Sequence, residues 1–190
     1  MPARHSNKTR RPRSGGSSPT TSRAHNSALG FYGYTVGDVM SRPAITVLPS
    51  DPLRLACARL SQRRISGLPV VNARGRPVGV LSQKDVVRLL HEKAGLSLPG
   101  GIFDLLLDAE ESGRSDLLPA CRAALDNTDV RAAMTSKPVT IESRATIEEA
   151  IRLLMRRRVN RLPVLRNGKL VGIVTRHDLL SGLGPGSPTA

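Results

Sequence analysis

The chain repeats itself. Val36, Met40, Thr46, Ala56, Leu60, Arg63, Arg64, Leu68, Pro69 and Val70 recur as Val130, Met134, Thr140, Ala150, Leu154, Arg157, Arg158, Leu162, Pro163 and Val164, at a constant offset of 94. After a one-residue deletion the offset is 93, and Gly75, Val78, Gly79 and Asp85 recur as Gly168, Val171, Gly172 and Asp178. A period held across that many positions marks a duplicated structural unit rather than composition. Each unit has about fifty residues, too few to bury an adequate core alone. The repeat therefore constrains the fold more than any other feature: the two copies must pack on each other.

Each copy reads as β-α-β-β-α. An extended segment comes first, Ala44–Val47 or Pro138–Ile141. A helix follows, with apolar residues at helical spacing: Leu53, Ala56, Cys57 and Leu60, then Ile147, Ala150, Ile151 and Leu154. Ser50-Asp51-Pro52 marks the first helix start, and Thr146 with Glu149 makes a capping box for the second. Leu68–Val71 and Leu162–Leu165 read as buried strands, and the turns at Asn72–Gly75 and Arg166–Gly168 make hairpins with Val78–Leu81 and Val171–Val174. A last helix begins at Ser82 or Thr175. The fold class expected is α/β (α+β): two such repeats packed sheet to sheet as a pair around one shared core.

The 190 residues then divide into a basic tail (1–34), a first repeat (35–92), an insert (93–128), a second repeat (129–182) and a flexible C-terminal tail (183–190). The insert has no counterpart in the duplication. Residues 102–110 look helical, and a second short helix is expected around Leu117 to Leu125.

The formal charge of +14 invites a nucleic-acid reading, so its distribution matters. Six bases, Arg4, Lys8, Arg10, Arg11, Arg13 and Arg23, lie in residues 1–34, where no acid occurs. That segment has too few apolar residues to offset ordering entropy and reads as disordered. Seven of the 15 acids fall between Asp104 and Asp129, which leaves the repeats themselves basic. The only aromatics are Phe31, Tyr32, Tyr34 and Phe103, so base stacking is poorly served. Nucleic-acid binding through residues 1–34 is thus the lesser alternative. No run approaches eighteen apolar residues, so no membrane span is expected, and no apolar stretch of signal-peptide type follows the tail. Both observations point to a cytoplasmic protein.

Two cysteines, Cys57 and Cys121, cannot build a disulfide framework or a Cys-rich metal site. Cys57 sits on an apolar helix face and reads as core. Cys121, in the insert, reads as the more exposed of the two. His91-Glu92 begins a zinc-protease motif, but Gly95 stands where its second histidine belongs. There is no phosphate-binding Walker loop, no nucleophile elbow and no Cys-x-x-Cys pair. Arg156-Arg157-Arg158, with Arg63-Arg64 at the same place in the first copy, reads as a solvated helix end. No catalytic residue and no metal ligand can be assembled, and the chain is expected not to be an enzyme.

The segments that carry chemistry are Gly79–Asp85 and Gly172–Asp178. Each takes a strand into a helix start, with Ser82 or Thr175 at the cap and Asp85 or Asp178 at the third helical position. One reading is a capping box. The other uses the same atoms: a helix start suits phosphate, and a carboxylate one turn in can accept from a ribose diol. The glycine permits close approach of a ligand or of a neighbouring backbone.

Leu-Pro-Val, a glycine turn, then Val-Gly-hydrophobic-hydrophobic-Ser/Thr-x-x-Asp, found twice in register, resembles the cystathionine-β-synthase (CBS) domain, and two copies resemble a Bateman module. The resemblance covers residues 36–90 and 129–182. It implies a pseudo-two-fold pair that binds AMP, ADP, ATP or S-adenosylmethionine in clefts between the copies. It assigns the ribose to Asp85 and Asp178, and the sugar–phosphate to Ser82 and Thr175, beside Gly79 and Gly172. Adenine would lie near Ile45 and Thr46, or Val139 and Thr140. Arg161, which precedes Leu-Pro-Val in the second copy where the first has Gly67, is a phosphate candidate, with Lys84, Arg176 and His177 nearby in sequence. The resemblance further implies a regulatory, non-catalytic role, a homodimer, and an unidentified protein under its control.

Overall fold

The computed structural model describes residues 33–94 and 118–181. The expected helix over 102–110, residues 1–32 of the basic tail and the C-terminal tail lie outside them. The first copy contains α1 (Val36–Val39), α2 (Leu53–Gln62), β1 (Gly67–Val71), β2 (Pro77–Ser82) and α3 (Gln83–Ala94). The insert contributes α4 (Leu118–Asp126). The second copy contains α5 (Val130–Ala133), β3 (Thr135–Ser136), β4 (Ile141–Glu142), α6 (Ile147–Arg157), β5 (Arg161–Arg166), β6 (Lys169–Thr175) and α7 (Arg176–Ser181).

The architecture is α+β, with a three-stranded sheet in each half. In each, the Leu-Pro-Val strand pairs antiparallel with the strand that follows it, Leu68 opposite Leu81 and Leu162 opposite Val174. The expected first strands are short. Val47 bridges Val70, and Ile141–Glu142 runs parallel to Val164–Leu165. Pro138 cannot donate to a ladder, which helps confine the second of these to its last residues.

The copies exchange their first elements. β3, from the second copy, is the outer strand of the first sheet, with Ser136 opposite Gly79 and Thr135 opposite Val80. Ser41, from the first copy, bridges Ile173 in the second sheet through two backbone hydrogen bonds of 2.9 and 3.1 Å. The short helices cross as well. Val36 N–H donates to the Ala145 carbonyl at 2.8 Å, and Val130 N–H to that of Asp51 at 2.9 Å. These are equivalent contacts made in opposite directions, as a pseudo-two-fold axis requires.

Two cores result, not the single shared one expected. One joins Val47, Leu53, Leu60, Leu68 and Leu81 to Val130 and Ala133 of the second copy. The other joins Ile147, Leu154, Leu162 and Val174 to Val36 and Met40 of the first. The exchanged arm supplies the apolar cover that each fifty-residue unit lacks.

Helix starts differ between the halves. Thr146 and Glu149 form the capping box their spacing predicts. At α2, neither Ser50 nor Asp51 caps. Pro52 is the N-cap, Leu53 N–H donates to the Thr128 carbonyl at 2.8 Å, and Asp51 instead accepts from Leu48 N–H. The end of the insert thus satisfies the first helix of the repeat.

α4 lies on α2 and α3. Cys121 is buried in the first core, with Ala124 and Leu125 packed against it, and Arg54 pairs with Asp126 at 2.8 Å. Cys121 is therefore a core residue rather than the exposed one its place in the insert suggested. The equivalent face of the second half is bare among the described residues, and Met155 and Leu180 stand 70% and 64% exposed there. Arg156, Arg157 and Arg158 are exposed at the end of α6, and Arg63 and Arg64 are exposed after α2.

Candidate functional site

β1 starts opposite the end of β2, Gly67 facing Ser82, and β5 starts opposite the end of β6, Arg161 facing Thr175. These ends carry the two motifs. Asp178 Oδ2 accepts from Thr175 N–H at 2.7 Å and from Thr175 Oγ1 at 2.8 Å, and Asp178 N–H donates back to Thr175 Oγ1 at 3.2 Å. Asp85 Oδ2 accepts from Ser82 N–H at 3.0 Å and from the Ser82 hydroxyl. Both motifs therefore use one carboxylate oxygen locally and leave the other outward.

The outward oxygens are unequal. Asp85 is buried, and its Oδ1 accepts from Arg88 at 3.1 Å. Asp178 is half-buried, and its Oδ1 has no hydrogen-bond partner among the described residues. A diol needs such an oxygen as acceptor, and the second copy offers it at lower cost.

Arg161 is where the copies meet. It begins a strand of the second copy opposite Thr175, yet its guanidinium donates to Ser66 Oγ of the first at 2.9 Å. Gly67, its own counterpart, is what makes room. A Cβ there would fall 2.1 Å from Arg161 Nη1 and 2.7 Å from the Leu81 carbonyl oxygen. Burial lowers the Arg161 pKa, and the Asp85 charge acts in the opposite sense. An arginine so placed stays protonated at neutral pH and presents a partly desolvated cation. The Gly67/Arg161 difference visible in sequence is thus one interlocking contact.

The motif glycines serve the arm exchange. A Cβ on Gly79 would lie 2.6 Å from Met134 Sδ, and one on Gly172 would lie 2.5 Å from Met40 Sδ. The neighbour allowed in is the other copy's arm. Ile45 packs on the first core and Val139 on the second. The Thr46 carbonyl accepts from the Arg59 guanidinium. Leu153 occupies that position in the second copy, so the Thr140 carbonyl has no such partner. Lys84, Arg176 and His177 are exposed on the first turns of α3 and α7. Arg59, Ser66 and Arg88 are the local partners that sequence reasoning missed. Arg59 and Leu153 do not match across the repeat, and that mismatch was the available signal. Among the described residues no cluster of His, Cys, Asp or Glu could hold a metal ion, and no helix is long and apolar enough to cross a membrane.

The fold and the doubled strand-to-helix motif define a tandem pair of β-α-β-β-α modules with exchanged arms. The CBS domain family model matches residues 36–92 and 129–184, more than half of the chain, and the chain belongs to that family. It is 32% identical over 153 residues to the uncharacterized protein MJ1426 of Methanocaldococcus jannaschii, covering 78% of this chain and 90% of that one. It is 47% identical over 130 residues to the uncharacterized protein YlbB of Bacillus subtilis, covering 68% of each. The crystal structure of CBSX2, an Arabidopsis thaliana protein, in complex with AMP has a TM-score of 0.57 at 29% identity, covering 79% of this chain and 96% of that one. The chain spans 63% of the full-length CBSX2 protein. None of these matches indicates a catalytic family.

Proposed function

We propose that this chain is a non-catalytic regulatory module that binds an adenosine-containing ligand, AMP, ADP, ATP or S-adenosylmethionine, where its two CBS repeats meet. The observation that carries the reading is the pair of motif carboxylates, each held through Oδ2 by a local hydroxyl and N–H, together with a protonated Arg161 that links the copies. The AMP held by the similar CBSX2 supports the ligand class. Ser82 and Thr175 serve the sugar–phosphate, Arg161 the phosphate, and Ile45, Thr46, Val139 and Thr140 the base. Lys84, Arg176 and His177 border it.

The two clefts have unequal affinity. Asp178 is the more open diol acceptor, whereas Asp85 and Thr46 already accept from Arg88 and Arg59. Isothermal titration with AMP tests this: Asp178→Ala is expected to weaken binding more than Asp85→Ala. Equal losses refute the asymmetry. If none of the four ligands binds, the function itself is refuted.

The signal is a change in the geometry between the copies, driven by differential affinity for two arrangements. It passes to a regulated protein of the cytoplasm or through a homodimer. A second copy fits the α6–α7 face, bare among the described residues, where Met155 and Leu180 are exposed. α6 is acidic in its first turn, at Glu148 and Glu149, and basic in its last, at Arg156 and Arg157. Two α6 helices crossing antiparallel place unlike charges opposite each other, the self-complementarity a two-fold contact needs. Light scattering should report a dimer, and Met155→Glu a monomer.

A further inference from the structure

We propose that the root of the first arm forms a separate anion site, away from the motif clefts, for a small ligand carrying linked phosphate groups. A cavity of about 600 Å³ lies there, within the ordinary range for small-molecule sites. Its walls come from both copies. α1 and its flanks supply Asp38 and Arg42, and the second copy supplies Glu142, Ser143, Arg144 and Arg166. Thr35 and Gly37 complete the arm side.

The arm is docked firmly. Gly37 N–H donates to the Ser143 carbonyl at 2.8 Å, and a Cβ on Gly37 would stand only 3.0 Å from that oxygen. The small residue keeps the backbones close and the space beside them open.

Charge decides what the cavity takes. Asp38 is bonded locally through one oxygen. Its Oδ2 accepts from Thr35 N–H and Thr35 Oγ1, both at 2.7 Å. These hydrogen bonds, with the Arg42 charge, hold it below the usual carboxylate range. The wall therefore sets two carboxylates, Asp38 and Glu142, against the three guanidiniums of Arg42, Arg144 and Arg166, an excess of one positive charge. Arg166 Nε reaches Ser143 Oγ at 3.4 Å. Among the described residues, none of the three arginines forms an ion pair with a carboxylate. Guanidinium forks match phosphate oxygens in pairs, and several converging on one cavity select a polyvalent anion over a single carboxylate.

The site belongs to one half only. In the pseudo-symmetric place of the first half, Arg144, Arg166 and Arg42 are replaced by Ser50, Asn72 and Ser136, and Ser143 by Pro49. Asn72 Oδ1 is turned into its own hairpin, accepting from Arg74 and Arg76 N–H at 3.0 Å. Arg131 stands where Gly37 leaves no side chain. The duplicated fold does not require three arginines here, so they are a property of this cavity.

The test is titration of the full chain with sodium tripolyphosphate at fixed ionic strength. One-to-one binding is expected, weakened roughly tenfold or more in the double variant Arg144→Ala/Arg166→Ala, since charge-assisted hydrogen bonds of this kind carry that much each. Glu142→Gln should tighten it, and the charge-matched control Arg63→Ala/Arg74→Ala, at exposed positions of the first half, should leave it unchanged. All these side chains are exposed or half-buried, and unaltered thermal melts will show that the variants fold. Affinity unmoved by the double variant would place the anion elsewhere, the basic residues of 1–34 included, and overturn the proposal. Weaker binding on Glu142→Gln overturns it too. Failure of the AMP titration leaves this site untouched.

Discussion

Gly172→Ala tests whether the arm exchange holds the molecule together. Gly172 is buried and is not among the residues with positive φ, so alanine suits its backbone and only the added carbon matters. That carbon would stand 2.5 Å from Met40 Sδ, 3.0 Å from Met40 Cγ and 2.9 Å from the Ser41 carbonyl oxygen. The thioether can swing aside, because methionine adapts. The Ser41 carbonyl cannot do so easily, because it accepts from Ile173 N–H, and Ser41 N–H donates to the Ile173 carbonyl. Overpacking of this kind costs about 1–3 kcal/mol, and loss of the two backbone hydrogen bonds would add about 1 kcal/mol each. Against this, alanine in place of a strand glycine returns about 0.5–1 kcal/mol. With both hydrogen bonds lost, the expected net loss is about 2–4.5 kcal/mol, or a fall in Tm of about 5–15 °C. Urea unfolding measures it. Met40→Ala in the same chain should recover part of the loss, because the two sites share one contact, and the double variant should cost less than the sum of the singles. A change below about 0.5 kcal/mol, within the range of an ordinary surface substitution, would refute the claim that Gly172 exists to admit the arm.

Other outcomes follow from local chemistry. Thr146→Ala removes the α6 cap and should cost about 1 kcal/mol by urea unfolding, while Ser50→Ala, which caps nothing, should cost far less. Burial in the first core pushes the Cys57 thiol from 9.0 up to about 12. A raised pKa means the stabilisation is whole below pH 9 and is lost as pH rises from 9 towards 12, by at most about 1.4 kcal/mol per unit from this group. Cys57→Ala should flatten that part of the stability profile, and an equal alkaline slope in the variant would refute the assignment. Leu125→Asp should loosen α4 from the first core and speed alkylation of Cys121 by a thiol reagent, which its burial should make slow in the native chain.

Much of the fold was legible because its signals are local. Period-2 and helical spacing show in a single pass, and the Thr146–Glu149 and Thr175–Asp178 boxes lie within one turn. The exchange of arms was not legible in that way. Val36 and Met40 form the same apolar stripe whichever sheet they lie on, and periodicity says nothing about which partner receives it. Gly79 and Gly172 recur, as do Met40 and Met134, but only the fold sets each glycine against the methionine of the other copy. The site was half legible. Ser82, Asp85, Thr175 and Asp178 stood out by repetition. Arg59 and Arg88 did not, because their partners, a carbonyl and a carboxylate a turn away, are set by backbone geometry. The start of α2 was legible at Ser50-Asp51-Pro52, but its partner was not, because the Leu53 N–H is satisfied by the Thr128 carbonyl, far along the chain.

The crossed arms also govern how the chain is assembled in time. The first half cannot close its core until Val130 and Ala133 have been synthesised, and the second needs Val36 and Met40, made long before, to have been kept free for it. Neither half has a finished state of its own to wait in, so both cores complete together, through pairings between distant parts of the chain. Such long-range closure slows folding. It also means that a cut within the insert need not destroy the molecule. Each fragment would carry the arm the other lacks, and two inert pieces mixed together should rebuild the whole.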